Sequence, residues 1–116
     1  MNKISNKSWG REEIIVHTNK YIMKKLFIEA GQQSSKQFHV EKDETVYVSK
    51  GLLLLDLSCR EGESNIIKLA EGESWRITPR TVHRFTAPED QAVEFFEIST
   101  PEVDDVVYLE GSRDNA

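Results

Sequence analysis

Four residues of this sequence could hold one divalent metal ion: Gln37, His39, Glu44 and His83. Two imidazoles, a carboxylate and an amide oxygen are all acceptable ligands for Zn²⁺, Mn²⁺, Fe²⁺ or Ni²⁺, with zinc ranked first. Gln37 and His39 are two residues apart, so on a strand both side chains point to one face. Glu44 follows after a short loop. His83 is remote and comes after Thr78-Pro79-Arg80-Thr81-Val82, which reads as a turn. Three ligands close in sequence and one distant ligand are what the mouth of a β-barrel can gather. With one carboxylate the site keeps net positive charge, and such an ion polarises a carbonyl or stabilises an enediolate. The alternative is a set of satisfied barrel polar groups with no metal. A buried carboxylate beside two imidazoles would make that arrangement costly. For Gln37 alone, the alternative is an ordinary strand polar residue beside a three-ligand site.

Proton transfer at a carbon beside such a polarised carbonyl also needs a base. The alternation Val93, Phe95, Glu97, Ser99 places Glu97 on the inner face of its strand. There it is the candidate base, a carboxylate among apolar neighbours whose pKa burial would raise. The adjacent pair Phe95-Phe96 leaves the opposite phase open, with Phe96 and Ile98 inward and Glu97 solvated. Lys50, Arg76, Arg80 and Arg84 could anchor an anionic substrate. Only Arg80 lies in the turn beside His83, so it is the preferred anchor, while Lys50 and Arg84 read as solvated charges. His17 has no partner at ligand spacing, and Trp9 and Trp75 read as packing residues.

Short strands must position these groups. The pattern predicts strands at Glu13–His17, Tyr21–Glu29, Thr45–Ser49, Leu52–Leu57, Asn65–Leu69, Trp75–Thr78, His83–Thr86 and Ala92–Ser99. Turns fall at Lys50-Gly51, Glu61-Gly62-Glu63 and Glu71-Gly72-Glu73, and residues 31–36 form a polar loop. No window has an apolar helical period. Strands this short with turns this regular indicate an all-β sandwich or barrel. Residues 102–109 could be a helical turn or a last strand. The ends, 1–8 and 111–116, are polar and are expected to be mobile. The run Leu52–Leu55 suggests a strand covered on both faces, with a second subunit as one possible cover.

The chain has 116 residues, 38% hydrophobic and 30% charged, and a net charge of −5. That suits one soluble domain, taken as 1–116. An acidic chain with scattered Lys and Arg excludes a phosphate-tracking nucleic-acid surface. No apolar run is long enough to span a bilayer, and the N-terminus lacks a signal-peptide core. The single cysteine, Cys59, implies no internal disulfide and reads as a plain thiol. The expected location is cytoplasmic, with no membrane or nucleic-acid partner.

Gly31, Gln37, His39, Glu44 and Gly51 match the spacing of the first cupin motif, with Gln37 in place of its first histidine. Gly72, Pro79 and His83 resemble the second motif, although Arg80 and Thr78 stand where that family usually has Gly and Pro. Gln-x-His followed by Glu and a distant His resembles the metal site of mannose-6-phosphate isomerases of the small one-domain type. Trp9-Gly10, Glu97-Ile98 and Asp104-Asp105-Val106-Val107 resemble further signatures of that branch, and the likeness covers about Trp9 to Glu110. Tyr108 replaces the usual Arg of the last stretch, which puts phosphate recognition in question. The resemblance implies a cupin barrel, a double-stranded β-helix, and the Leu52–Leu55 run adds the expectation of a homodimer. It implies a metal-dependent isomerase or epimerase acting on a sugar or sugar phosphate. The metal would sit on Gln37, His39, Glu44 and His83, with Glu97 shuttling the proton and Arg80 steadying the substrate. The alternatives are a non-catalytic metal- or sugar-binding cupin and, third, a metal-dependent dioxygenase.

Overall fold

The computed structural model describes residues 2–57, 65–102 and 104–109. Eleven strands occur among them: β1 (Lys3–Lys7), β2 (Gly10–His17), β3 (Ile22–Ile28), β4 (Gln37–His39), β5 (Glu44–Lys50), β6 (Leu53–Asp56), β7 (Ile66–Leu69), β8 (Ser74–Ile77), β9 (Arg84–Thr86), β10 (Val93–Ser99) and β11 (Val106–Tyr108). No described residue is helical. The strands form a six-stranded sheet in the order β1-β2-β3-β10-β5-β8, a three-stranded sheet β7-β6-β9 and the pair β11-β4.

Period-two patterning builds the layers. In β5, Glu44, Val46 and Val48 are buried while Tyr47 faces solvent. In β10, Val93, Phe95, Glu97 and Ser99 are buried while Ile98 is exposed. The inner face of the large sheet packs on Leu53, Leu55, Leu69, Phe85 and Ala87 of the smaller layer to form one core. Phe85 and Phe95 meet there with ring centroids 4.9 Å apart. Each fully buried apolar side chain contributes about 1.5–3 kcal/mol through water release.

The N-terminus corrects the expectation of a mobile end. Lys3–Lys7 pairs with β2 from Lys3↔Ile14 to Lys7↔Gly10, closing a hairpin at Ser8-Trp9. Its side chains are mostly polar and exposed, so the strand is held by its backbone ladder and carries no hydrophobic period to read. Gly10 makes the turn possible. Its φ is 153°, and a Cβ there would collide with the Phe27 carbonyl of β3. Gly51 plays a similar part between β5 and β6, with φ 86° and Ala92 O where a side chain would go.

Residues 102–109 end in the strand β11, which resolves the choice left open there. Leu53 and Leu55 are fully buried, but Leu54 is only half-buried. The strand β6 is therefore covered on one face within this chain. The predicted turn at Glu61-Gly62-Glu63, Cys59 and the tail 111–116 lie outside the described residues.

Candidate metal centre

Three chain segments converge at one end of the core. Gln37 and His39 begin and end β4, Glu44 begins β5, and His83 directly precedes β9. Gln37 and His83 exchange both backbone hydrogen bonds, Gln37 N–H to His83 O at 3.0 Å and His83 N–H to Gln37 O at 2.8 Å. That bridge sets the remote histidine beside the local ligands. The turn before His83 is tight: the Thr78 and Thr81 hydroxyls are 2.9 Å apart, and Arg80 has φ 67°. Arg80 N–H donates to His39 O at 2.6 Å, which ties the turn to β4.

Both imidazoles are oriented through Nδ1. His83 Nδ1 is 2.9 Å from Thr81 O, and His39 Nδ1 is 3.2 Å from Asp105 O. A carbonyl can only accept, so each Nδ1 carries the proton. In the neutral rings Nε2 is then a lone pair. Those lone pairs face the Glu44 carboxylate. Glu44 Oε2 lies 3.0 Å from His39 Nε2 and 3.8 Å from His83 Nε2. The 3.0 Å approach does not have the angles of a hydrogen bond: both Glu44 oxygens and His83 Nε2 are buried without a partner. Three acceptors therefore face one another, with ligand atoms from the three residues within 4.8 Å. A proton on His39 Nε2 would serve one oxygen and leave Glu44 Oε1 and His83 Nε2 unsatisfied. A divalent cation would serve all of them, and two imidazoles with a carboxylate suit a transition metal. The residues present fit such an ion. Gln37 and His39 also line a cavity of about 200 Å³ beside this cluster, so the Gln37 amide is placed near it.

Asp105 braces the site twice. Its carbonyl accepts from His39, and its carboxylate accepts the N–H groups of Val40, Glu41 and Lys42 at 2.7–2.9 Å. The Glu41 N–H contact, with those of Lys42 and Val40, outweighs desolvation and holds the carboxyl below its ordinary pKa. The loop from His39 to Glu44 is therefore wrapped around one aspartate.

Glu97 faces inward, in the phase Val93, Phe95, Glu97, Ser99, and lines the cavity. The expected rise in its pKa is corrected. Burial pushes the carboxyl up, but Lys42 and Lys24, the Lys42 hydrogen bond and His39 overcome that and bring it to about 2. Lys42 Nζ is 3.0 Å from Glu97 Oε2, and both side chains are buried. Lys24, beside Glu97 in the β3–β10 register, pairs with Glu12 at 2.8 Å. Burial lowers the Lys24 pKa, but Glu97, Glu12 and Glu44 together leave it raised. The inner wall thus carries an alternating row, Glu12, Lys24, Glu97, Lys42.

Arg80 is not brought to the cavity. Its side chain is exposed, and its contribution is the backbone contact to His39. Arg84 is half-buried and its Nε donates to Ser34 O at 3.1 Å, so it is not a solvated charge. Arg76 pairs with Asp43 at the surface, and Lys50 and His17 are exposed. Lys24 was legible, since Ile22, Leu26 and Ile28 share its inward phase. Lys42 sits in a loop where no period signals burial.

The sequence profile described as "Mannose-6-phosphate isomerase C-terminal" matches residues 1–111. The chain belongs to this mannose-6-phosphate isomerase C-terminal family. One curated relative, the mannose-1-phosphate guanylyltransferase of Salmonella muenchen, is 27% identical over 105 residues, 88% of this chain and 21% of the relative. The chain thus spans about a fifth of that relative's length. Among solved structures, KdgF from Halomonas sp. is 23% identical with a TM-score of 0.68, covering 82% of this chain and 81% of its own. An RmlC-like cupin from Shewanella frigidimarina is 15% identical with a TM-score of 0.74, covering 90% and 88%. These likenesses show that this family member has the cupin fold.

Two outcomes follow. Asp105→Ala keeps the carbonyl but frees the loop, and is expected to weaken zinc binding about 10–100-fold. Competition with a chromophoric chelator measures this, and unchanged affinity would contradict the bracing role. Glu97→Gln leaves Lys42 buried without a counter-charge and is expected to cost about 3–5 kcal/mol at neutral pH. Because the folded Glu97 pKa lies below its ordinary 4.5, the pair stabilises fully above that pH and loses its effect toward 2. The stability gap between wild type and Glu97→Gln in urea should therefore close as pH falls through this window. A gap independent of pH would contradict the assignment.

Proposed function

We propose that this chain is a metal-dependent isomerase or epimerase acting on a sugar or sugar derivative. One observation carries the reading. Glu44 and His83 present buried acceptor atoms that nothing in the described structure satisfies, beside His39 and against a cavity that can admit a small molecule. His39, Glu44 and His83 would hold the ion, with the Gln37 amide as a fourth ligand, and zinc is the first choice. When bound, the ion would supply Lewis acidity toward a carbonyl or an adjacent hydroxyl oxygen.

The remaining chemistry falls to the chain's own groups. Glu97 is kept ionised by Lys42 and Lys24, so it is ready to accept a proton from the carbon next to a carbonyl. Glu97 then delivers that proton to the neighbouring, former carbonyl carbon, while Lys42, hydrogen-bonded to Glu97, steadies the carboxylate and can relay the hydroxyl proton between the two oxygens. The Lys42 and Lys24 ammonium groups line the cavity and take the anchoring role expected of Arg80. Membership of the mannose-6-phosphate isomerase C-terminal family supports this reading.

A second reading is a metal- or sugar-binding cupin without turnover. It is favoured by the same ion pair, because a carboxylate held well below its ordinary pKa is a weak base. An assay separates them: zinc-loaded protein against aldoses, ketoses and their 6-phosphates, with Glu97→Gln alongside. Turnover that falls about 10²–10⁴-fold in Glu97→Gln, with metal content kept, is expected for the enzyme. Full metal occupancy with no turnover on any substrate would leave the binding module.

A further inference from the structure

The large sheet packs its inner face on the core, and its outer face is unusually apolar. Buried Ile22, Leu26 and Ile28 fix the inward phase of β3, and buried Val93, Phe95 and Glu97 fix that of β10. The outward positions of these central strands are then Met23, Lys25 and Phe27, and Glu94, Phe96 and Ile98. An antiparallel sheet with one wet face alternates apolar inward with polar outward. Here Met23, Phe27, Phe96 and Ile98, the majority, break that rule. The register joins them across strands: Met23 opposes Ile98 and Val16, and Phe96 opposes Tyr47. Ile98 and Tyr47 are 40% and 45% exposed. β3 and β10 pack on their sheet neighbours and, inward, on the core layer, so among the described residues this face is open to solvent.

We infer that a second copy of this chain docks on this face, sheet against sheet, about a two-fold axis. The inference is independent of the sugar reading. Size supports this occupant. β3, β5 and β10 are each seven residues long. With β2 they span about 19 by 24 Å from strand spacing and rise. Side-chain relief and the flanking strands β1 and β8 bring the accessible area toward the roughly 800 Å² per partner of a standard interface.

Charge supports it as well. The chain carries a net charge of −5, so two copies repel on average. On this face basic and acidic groups nearly cancel. Lys25 is 3.7 Å from Glu13, Arg76 pairs with Asp43 at 2.6 Å, Arg11 lies over the Phe27 ring at 4.3 Å, and Glu94 accepts from the Ser49 hydroxyl at 2.8 Å. Among the described residues no surplus remains for an anionic lipid surface or a charged protein to read. A patch apolar at its centre and balanced at its rim is complementary to itself, as an isologous contact requires. The small sheet does not compete. Its outward Leu54 stands between Lys68 of β7 and Thr86 of β9, so the second-subunit cover expected over Leu52–Leu55 belongs on the large sheet instead. The docked face is also the back of the cavity wall. Lys24 and Glu97 line the cavity from the same β3 and β10, so a partner sheet braces the strands that carry the charged row.

Sedimentation equilibrium of the full chain tests this over about 1 to 100 μM, with thermal melts as the check on folding. Wild type should run at twice the chain mass of 13.3 kDa. Ile98→Lys and Tyr47→Lys each bury an unpartnered charge in both copies, and each should raise the dissociation constant at least about 100-fold. Leu54→Lys should leave the dimer unchanged. If neither face variant folds, hydroxyl-radical footprinting of the wild type decides. Trp75 is similarly exposed in one chain but shares the inward phase of Val46. Normalised to the unfolded chain, Tyr47 should be labelled at least about threefold less than Trp75, because the interface covers it. A wild-type monomer across the range would overturn the inference, whether or not it binds anionic vesicles or another protein. So would a dimer that survives both lysine variants, a dimer that Leu54→Lys alone dissociates, or equal labelling of Tyr47 and Trp75.

Discussion

The Glu44 carboxylate, buried against two imidazole lone pairs, is the constraint on which the rest of the structure turns. An ionised carboxyl taken out of water costs several kcal/mol unless something compensates it. Here the chain turns acceptors toward it, because Thr81 O and Asp105 O have claimed the Nδ1 protons of His83 and His39. Two carbonyls on distant segments thereby choose the tautomer of both rings. A divalent cation would convert that mutual repulsion into coordination. The bridge between Gln37 and His83, the Arg80 turn and the Asp105 brace all hold the acceptors in place.

The cupin fold supplies this cheaply. Each ligand lies at a strand end, where backbone pairing sets its direction and the neighbouring loop is free to bend. The cost appears next door. Four charged side chains line the wall where core residues would otherwise pack, and they are tolerable only as an alternating row. Removing one member strands the others, so the row behaves as a unit in which single substitutions will not add.

Much of this was legible in the sequence. His39 and Glu44, set on neighbouring strands, and His83 behind a proline-containing turn were enough to place the cluster. The alternation around Glu97 gave its direction. Its ionisation was not legible, because Lys42 lies in a loop whose path is decided by Asp105, more than sixty residues away in the chain. Arg80 misled for a related reason. Nearness to His83 in sequence said nothing of where its side chain would go, and the position serves through its backbone. The first strand escaped notice because its pairing is a property of peptide groups, whereas its side chains are polar and exposed.

The central claim is that a cation belongs between Glu44, His39 and His83. Elemental mass spectrometry of the purified protein, wild type beside Glu44→Gln and both after exposure to zinc and desalting, tests it most directly. The account predicts about one equivalent of metal in the wild type and almost none in the variant. Metal absent from both, or retained equally by both, would contradict it.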